Sequence, residues 1–307
     1  MKILITGALG HIGSFLSRHL SLNYPGSTII LVDNLMTQRF TSLFNLPKFA
    51  NYVFYQYDIS KIDLVDLLKK VDVVIHLAAI TDAAGSFDKA TELEENNYNA
   101  TLKLAKACLS TNTRMISLSS TSVYGTQNKI VTENCMPDEL QPQSPYATTK
   151  LKEENLLLKM NREDGLKVCI CRFGTIYGIS PGMRFHTAVN KFCWQASMGQ
   201  PITVWSTAFN QKRPYLDLSD ACRAFVHIIN LDLFNGEIYN ILSQNSTVKE
   251  ITDAIKLFIP DLQIEFVDNK IMNQLSYEVS SEKFIDTGFK YKGDLEFAIG
   301  QTISLLR

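Results

Sequence analysis

Residues 2–13 read KILITGALGHIG. Ile3 to Thr6 make a short apolar, β-branched run of the kind that forms a buried strand. Gly7, Gly10 and Gly13 then follow at three-residue spacing and lead into a helical pattern over 11–22. Glycine suits all three positions for physical reasons: the turn is tight, the backbone must approach a pyrophosphate, and the helix must pack closely on the sheet. The start of such a helix offers free N–H groups and a partial positive charge to an anion. Strand, glycine turn and helix in that order predict the first unit of a parallel α/β sheet with a phosphate-binding end.

Further along, short β-type runs at 28–33, 52–57, 72–77, 114–119 and 167–172 alternate with helical patterns at 62–69, 89–110 and 145–163. That alternation marks stacked βαβ units. The expected fold is α/β, a Rossmann-type doubly wound parallel sheet with a smaller mixed α/β C-terminal substrate lobe. The dinucleotide-binding domain is expected over 1–173, with a later returning segment near 215–230, and the substrate lobe over 174–307. After residue 173 the pattern turns irregular, with turn signals at 180–182 and 199–201, and no low-complexity linker or repeat intervenes.

The helix at 145–163 is well punctuated. Ser144 can cap its start, Pro145 suits its first position, and Gly165 suits the residue past its end. Tyr146 therefore falls in the first helical turn.

With 307 residues, 46% hydrophobic and 20% charged, the chain can bury a full core, which argues against a disordered or fibrous protein. Thirty Lys plus Arg balance 31 Asp plus Glu, and no basic run could track a phosphate backbone, so nucleic-acid binding is not expected. No stretch approaches the ~18 apolar residues of a membrane span, and the N-terminal run leads into a glycine turn instead of a signal-peptide cleavage site; a cytoplasmic protein is expected. Cys108, Cys135, Cys169, Cys171, Cys193 and Cys222 lack CxxC spacing, and the five histidines are scattered. Reduced structural thiols and no metal are the expectation.

Asp33 ends the second strand about twenty residues after Gly13. A carboxylate there can accept hydrogen bonds from both hydroxyls of an adenosine ribose and would repel a 2′-phosphate, which favours NAD over NADP. Asp58, after the third strand, could bond an adenine amino group or merely close its own turn. His76, inside an apolar run, reads as a packed core histidine.

Tyr146 and Lys150 lie four residues apart, hence on one helix face. A free tyrosine, with a pKa of about 10, is a poor base at neutral pH; an adjacent ammonium and a positive nicotinamide ring favour its phenolate. Such a phenolate is a usable general base. Upstream, residues 118–125 form a hydroxyl-rich strand end at the edge of the sheet where ligands of such folds collect, and a serine there can hydrogen-bond a reacting oxygen.

Taken together, these residues resemble the extended short-chain dehydrogenase/reductase superfamily, specifically its NAD-dependent epimerase/dehydratase family. The resemblance spans nearly the whole chain. It rests on Gly7, Gly10 and Gly13, on Asp33, on Asp58 with Ile59, on residues 76–79, on Asn97 ahead of Ala100 and Thr101, on residues 119–125, on Tyr146 with Lys150, on 172–178 and on 213–217. It implies a catalytic trio of Ser120, Tyr146 and Lys150. It implies NAD contacts from Gly7, Gly10, His11, Ile12, Gly13, Asp33, Asn34, Asp58, Ile59, Leu77, Ala78, Ala79, Asn97, Tyr146 and Lys150. The substrate, a nucleotide-diphosphate sugar, would meet Ser120, Thr121, Thr175 and Arg213, the last chelating phosphate oxygens with its guanidinium. The long helices at 89–110 and 145–163 resemble those that pair across a two-fold axis in this family, implying a homodimer.

Departures narrow the chemistry. Family members that dehydrate the sugar carry an Asp-Glu pair immediately after the catalytic hydroxyl residue, where this chain has Thr121 and Ser122. The asparagine that many relatives use on the substrate is replaced by Thr175. Residues 178–186 resemble a subgroup that acts on varied nucleotide sugars. The expected activity is an NAD-dependent nucleotide-sugar epimerase working at C4 through a transient 4-keto sugar. Its rivals are a 4-dehydrogenase or reductase on the same substrate class, and a catalytically silent dinucleotide sensor.

Overall fold

The structure is a computed structural model that describes residues 1–81, 90–125, 127, 129–136, 139–267 and 276–307. Its first half runs β1 (Lys2–Thr6), α1 (His11–Asn23), β2 (Thr28–Asp33), β3 (Asn51–Gln56), α2 (Leu64–Leu68), β4 (Val73–His76), α3 (Ala90–Thr111), β5 (Arg114–Ser120), β6 (Ile130–Val131), α4 (Pro145–Asp164) and β7 (Val168–Phe173). The second half runs β8 (Thr175–Tyr177), α5 (Ala188–Ser197), β9 (Ile202–Trp205), β10 (Lys212–Asp217), α6 (Leu218–Asn230), β11 (Ile238–Ile241), β12 (Gln244–Thr247), α7 (Val248–Lys256), β13 (Ile264–Val267), β14 (Glu278–Val279), α8 (Glu282–Ile285) and α9 (Leu295–Leu306).

Seven strands in the order β11-β7-β5-β4-β1-β2-β3 form one sheet in which every pairing is parallel. This is the doubly wound sheet that the alternation of strands and helices predicts. Strand order reverses between β1 and β4, so the carboxyl ends of those two strands frame the crevice where such folds hold ligands. Alternation along β1 sets the layers. Ile3 and Ile5 pack with Leu16 and Leu20 of α1 and Phe225 of α6, whereas Leu4 packs with Leu104 of α3 and Leu157 of α4. Both faces are covered, which is why β4 and β7 are buried at every position and show no alternation between apolar and exposed polar residues.

Punctuation of α4 follows the sequence. Ser144 Oγ accepts from the Ala147 amide at 3.2 Å, Pro145 sits in the first turn, and Gly165 closes the helix at φ 78° in the left-handed region. The expected helix at 62–69 is only the five residues of α2, and residue 89, the expected start of α3, lies outside the described residues. β11 had no counterpart in the sequence reading. Its four residues are too few to establish a period, and they include the polar Asn240, which is buried against the Tyr124 hydroxyl at 2.8 Å.

The second half adds a mixed three-stranded sheet, β12-β10-β8, and the two-stranded pairs β13-β9 and β14-β6. Helices α5, α7 and α9 share a core built on Phe192, Ile251, Ile255 and Ile299. All six cysteines are free and five are buried; burial pushes the Cys108 and Cys193 thiols up to about 12, so both stay protonated. Cys169 and Cys171 point into one core cluster, as alternation along a strand requires. Among the described residues no helix is long and apolar enough to cross a membrane.

Candidate active site

The glycine turn after β1 is built for close approach. Gly7 has φ +64°, and a Cβ there would lie 2.8 Å from the Ala78 nitrogen. A Cβ on Gly13 would lie 2.5 Å from the Gly7 carbonyl oxygen, so α1 can sit this near the turn only without a side chain. Thr6 Oγ1 accepts from the amides of Leu77 and Ala78, each at 3.2 Å, and ties the residues after β4 to the end of β1. Gly10 caps α1 without a side-chain acceptor, leaving the first-turn N–H groups of the helix without a side-chain cap.

His11 opens α1 and is buried. Its Nδ1 lies 2.8 Å from Ser180 Oγ, and its Nε2 has no hydrogen-bond partner among the described residues. Burial, reinforced by Arg184, Arg39 and His186, pushes its pKa down to about 3 and keeps the ring neutral. Residues 180–184 lie across the turn: the Gly182 amide donates to Ser14 Oγ at 3.0 Å, and Arg184 donates to the Thr81 hydroxyl and bonds His186 Nε2. An uncapped helix start, a cradle that a Cβ would fill and an unpartnered buried imidazole nitrogen together fit a dinucleotide pyrophosphate.

Asp33, at the end of β2, accepts from the amides of Leu9 at 3.0 Å and Leu35 at 2.9 Å and so braces the glycine turn. Asn34 is exposed, Ile12 is half-buried and Ile59 is buried in the core beneath α2 and α3. Partial burial pushes Asp58 up, but hydrogen bonds from Ser60 and the Lys61 ammonium outweigh it and hold the carboxyl below its usual range. His76 lies 2.7 Å from Thr6 Oγ1 and 3.1 Å from Thr101 Oγ1; burial, then the nearby Lys150 charge, push its pKa down to about 3. Asn97 of α3 holds the segment beyond Ala79 through two bonds to the Ile80 backbone, at 2.8 and 2.9 Å.

On α4, Lys150 Nζ lies 6.0 Å from the centroid of the Tyr146 ring. Tyr146 is half-buried and Lys150 buried, and the ammonium bonds Glu153 Oε2 at 2.9 Å. Burial pushes Lys150 down, yet Glu153, Tyr146 and Glu154 outweigh it, so the lysine holds its proton more firmly than usual. Ser120 ends β5 with its hydroxyl accepting from the Ser122 amide at 3.2 Å and from Ser122 Oγ at 2.9 Å. Thr121 is 2% exposed, donates to the Phe173 carbonyl at 3.3 Å and lies 3.5 Å from the Tyr277 hydroxyl. That hydroxyl also feels the charge of Arg213. Arg213 on β10 pairs across the small sheet with Ser246, and Thr175 on β8 pairs with Tyr215. Sequence reasoning missed Glu153 and Ser180 as parts of the site. Glu153 was legible from its i, i+3 spacing to Lys150, whereas Ser180 meets His11 only through the fold. Among the described residues no group of three potential metal ligands gathers.

A family model described as "NAD dependent epimerase/dehydratase family" matches residues 3–241. A trifunctional UDP-glucose 4,6-dehydratase/UDP-4-keto-6-deoxy-D-glucose 3,5-epimerase/UDP-4-keto-L-rhamnose-reductase of Arabidopsis thaliana is 33% identical over 249 residues, which cover 78% of this chain and 36% of that protein. The chain thus spans about a third of the length of that relative. The uncharacterized UDP-glucose epimerase YtcB of Bacillus subtilis is 32% identical over 250 residues, covering 78% of this chain and 76% of that one. The crystal structure of UDP-glucuronic acid 4-epimerase from Bacillus cereus with UDP-glucuronic acid and NAD superposes with a TM-score of 0.91 at 25% identity, over 100% of this chain and 99% of that one.

Proposed function

The chain belongs to the NAD-dependent epimerase/dehydratase family, and from that premise we propose that it is a nucleotide-sugar epimerase acting at C4 through a transient 4-keto sugar. The observation that carries this reading is the company of the proton-transfer pair. Tyr146 and the buried Lys150 ammonium share one face of α4, while Ser120 and the two residues after it offer only hydroxyls, one of them locked onto the Phe173 carbonyl. Elimination of water from the sugar needs an additional acid and base beside the reacting carbons, and Thr121 and Ser122 supply neither.

In this reading Tyr146 takes the proton of the C4 hydroxyl, Ser120 holds the oxygen that gives it up, and Lys150 places a positive charge beside the phenol. NAD, held by the glycine turn, would supply the hydride acceptor and donor for C4. Arg213 grips the diphosphate, so the keto sugar can turn over at C4 without leaving, and Tyr146 gives the proton back as the other face is reduced. Gly7, Gly10, Gly13 and the start of α1 hold the dinucleotide, with Asp33 at its ribose. The remaining assignments made from the sequence for Asn34, Asp58, Ile59, Asn97, Thr121 and Thr175 stand as part of this proposal. We also propose a homodimer through α3 and α4, whose packed pair leaves Leu102, Leu109, Leu156 and Leu158 only partly buried. Six free cysteines suit a reducing cytoplasm.

The test is incubation of the purified protein with UDP-glucose and with UDP-glucuronic acid, read by proton NMR at C4 and by nicotinamide absorbance. Appearance of the C4 epimer without accumulation of NADH is expected. Stoichiometric NADH would make the protein a dehydrogenase instead, and absence of hydride transfer across a wider panel of nucleotide sugars would make it a dinucleotide sensor.

A further inference from the structure

We propose that Glu153 is a positioning residue of the proton-transfer pair, holding the Lys150 ammonium in place along α4 within a site closed to water. The inference rests on the reading of Tyr146 and Lys150 given above. Lys150 Nζ bonds Glu153 Oε2 at 2.9 Å, and the two side chains are only 6% and 3% exposed. Residues 146, 150 and 153 follow one helix face, so phenol, ammonium and carboxylate stand in a row.

Other charges around Lys150 are already committed. Glu154, also on α4, is held by Arg172 of β7 at 2.9 and 2.6 Å. His76 of β4 is kept neutral. Glu94 of α3 pairs with Lys152 on the exposed side of α4. That leaves Glu153 as the partner that balances the lysine. Its second oxygen, Oε1, is buried with no hydrogen-bond partner among the described residues, an arrangement that costs stability. Ionised together, the two side chains add no net charge to a buried site, yet one N–H of the ammonium is fixed and the others are left for the phenol and the dinucleotide ribose.

The test is the pH dependence of stability, which needs neither substrate nor cofactor. In the native protein Lys150 binds its proton more tightly than in the unfolded chain, so its contribution is complete below about pH 10.4 and lost only above it. In Glu153→Gln the strongest charge opposing burial is gone and only those of Tyr146 and Glu154 remain, so the folded lysine binds its proton less tightly than in the native protein, and the stability gap between the two shrinks as pH rises through the variant's lowered value. The difference in Tm between native protein and Glu153→Gln is therefore expected to narrow from about pH 7 to about pH 10, and the alkaline limb of kcat/KM to move acidward by at least about one unit. Glu153→Asp, which keeps the charge, is expected to leave that limb in place. In a Lys150→Met background Glu153→Gln is expected to fold and to cost no stability. A Tm difference independent of pH with an unmoved alkaline limb, or a double variant less stable than Lys150→Met alone, overturns the proposal. The stability arm holds even if Tyr146→Phe proves fully active, which would sink the function reading alone.

Discussion

His11 Nδ1 and Ser180 Oγ, 169 positions apart in the chain, meet at 2.8 Å in a buried contact directly over the glycine turn. The bond ties the segment after β8 to the first residue of the phosphate-binding helix. Ser180→Ala would leave the imidazole with neither nitrogen partnered among the described residues, because Nε2 has no partner there already. A loss of about 1–3 kcal/mol of unfolding free energy is expected in denaturant titration. In a His11→Phe background the same substitution should cost nearly nothing, since the polar group it strands is gone.

Gly7 tests the cradle itself. Gly7→Ala forces a side chain into a left-handed backbone and to within 2.8 Å of Ala78, whose amide is engaged by Thr6. Backbone strain alone is on the order of 1–3 kcal/mol. The turn can relieve it only by moving away from residues 77–78, which would open the anion site. Isothermal titration with NAD is expected to show binding weakened by at least about tenfold in a folded variant; unchanged affinity would mean that the dinucleotide does not approach this turn.

How much of this was legible beforehand follows from how local each signal is. Gly7, Gly10, Gly13, Ser144, Pro145 and Gly165 act through the conformation of their own few residues, so the βα turn and both ends of α4 could be read directly. Tyr146 and Lys150 share a helix face by arithmetic alone. β11 was hidden because four residues containing a buried asparagine have no readable period, and its place beside β7 is decided by long-range pairing. Thr121 shows the same limit at the site: its sequence position beside Ser120 said nothing of its hydroxyl turning to the Phe173 carbonyl, 52 residues on.

Tyr146→Phe removes one oxygen from a half-buried ring in the first turn of α4 and leaves Lys150 paired with Glu153. A general base of this kind contributes about 10²–10⁴-fold to rate. A fall in kcat of that size is expected, with NAD binding and Tm close to those of the native protein. Full activity in a correctly folded variant would take the base assignment away from Tyr146.

His76 makes the acid side of the stability curve. Its ring is fixed between Thr6 at 2.7 Å and Thr101 at 3.1 Å, and burial with the Lys150 charge pushes its pKa down to about 3, against about 6.5 for an unfolded histidine. Between those two values the unfolded chain binds a proton that the folded chain refuses, so stability must fall as pH drops from about 6.5. His11, pushed down to about 3 as well, adds a second group with the same sign. Burial pushes His19 and His227 down as well, with the same sign, while it pushes the Glu133 and Asp217 carboxyls up, with the opposite one, so His76 and His11 act in the window from about pH 6.5 to 4.5 together with these groups. In His76→Asn, which can still bond a threonine hydroxyl, the loss of Tm across that window should be smaller than in the native protein. A Tm slope equal to that of the native protein would mean that His76 already carries a proton in the fold, and with it a second positive charge beside Lys150.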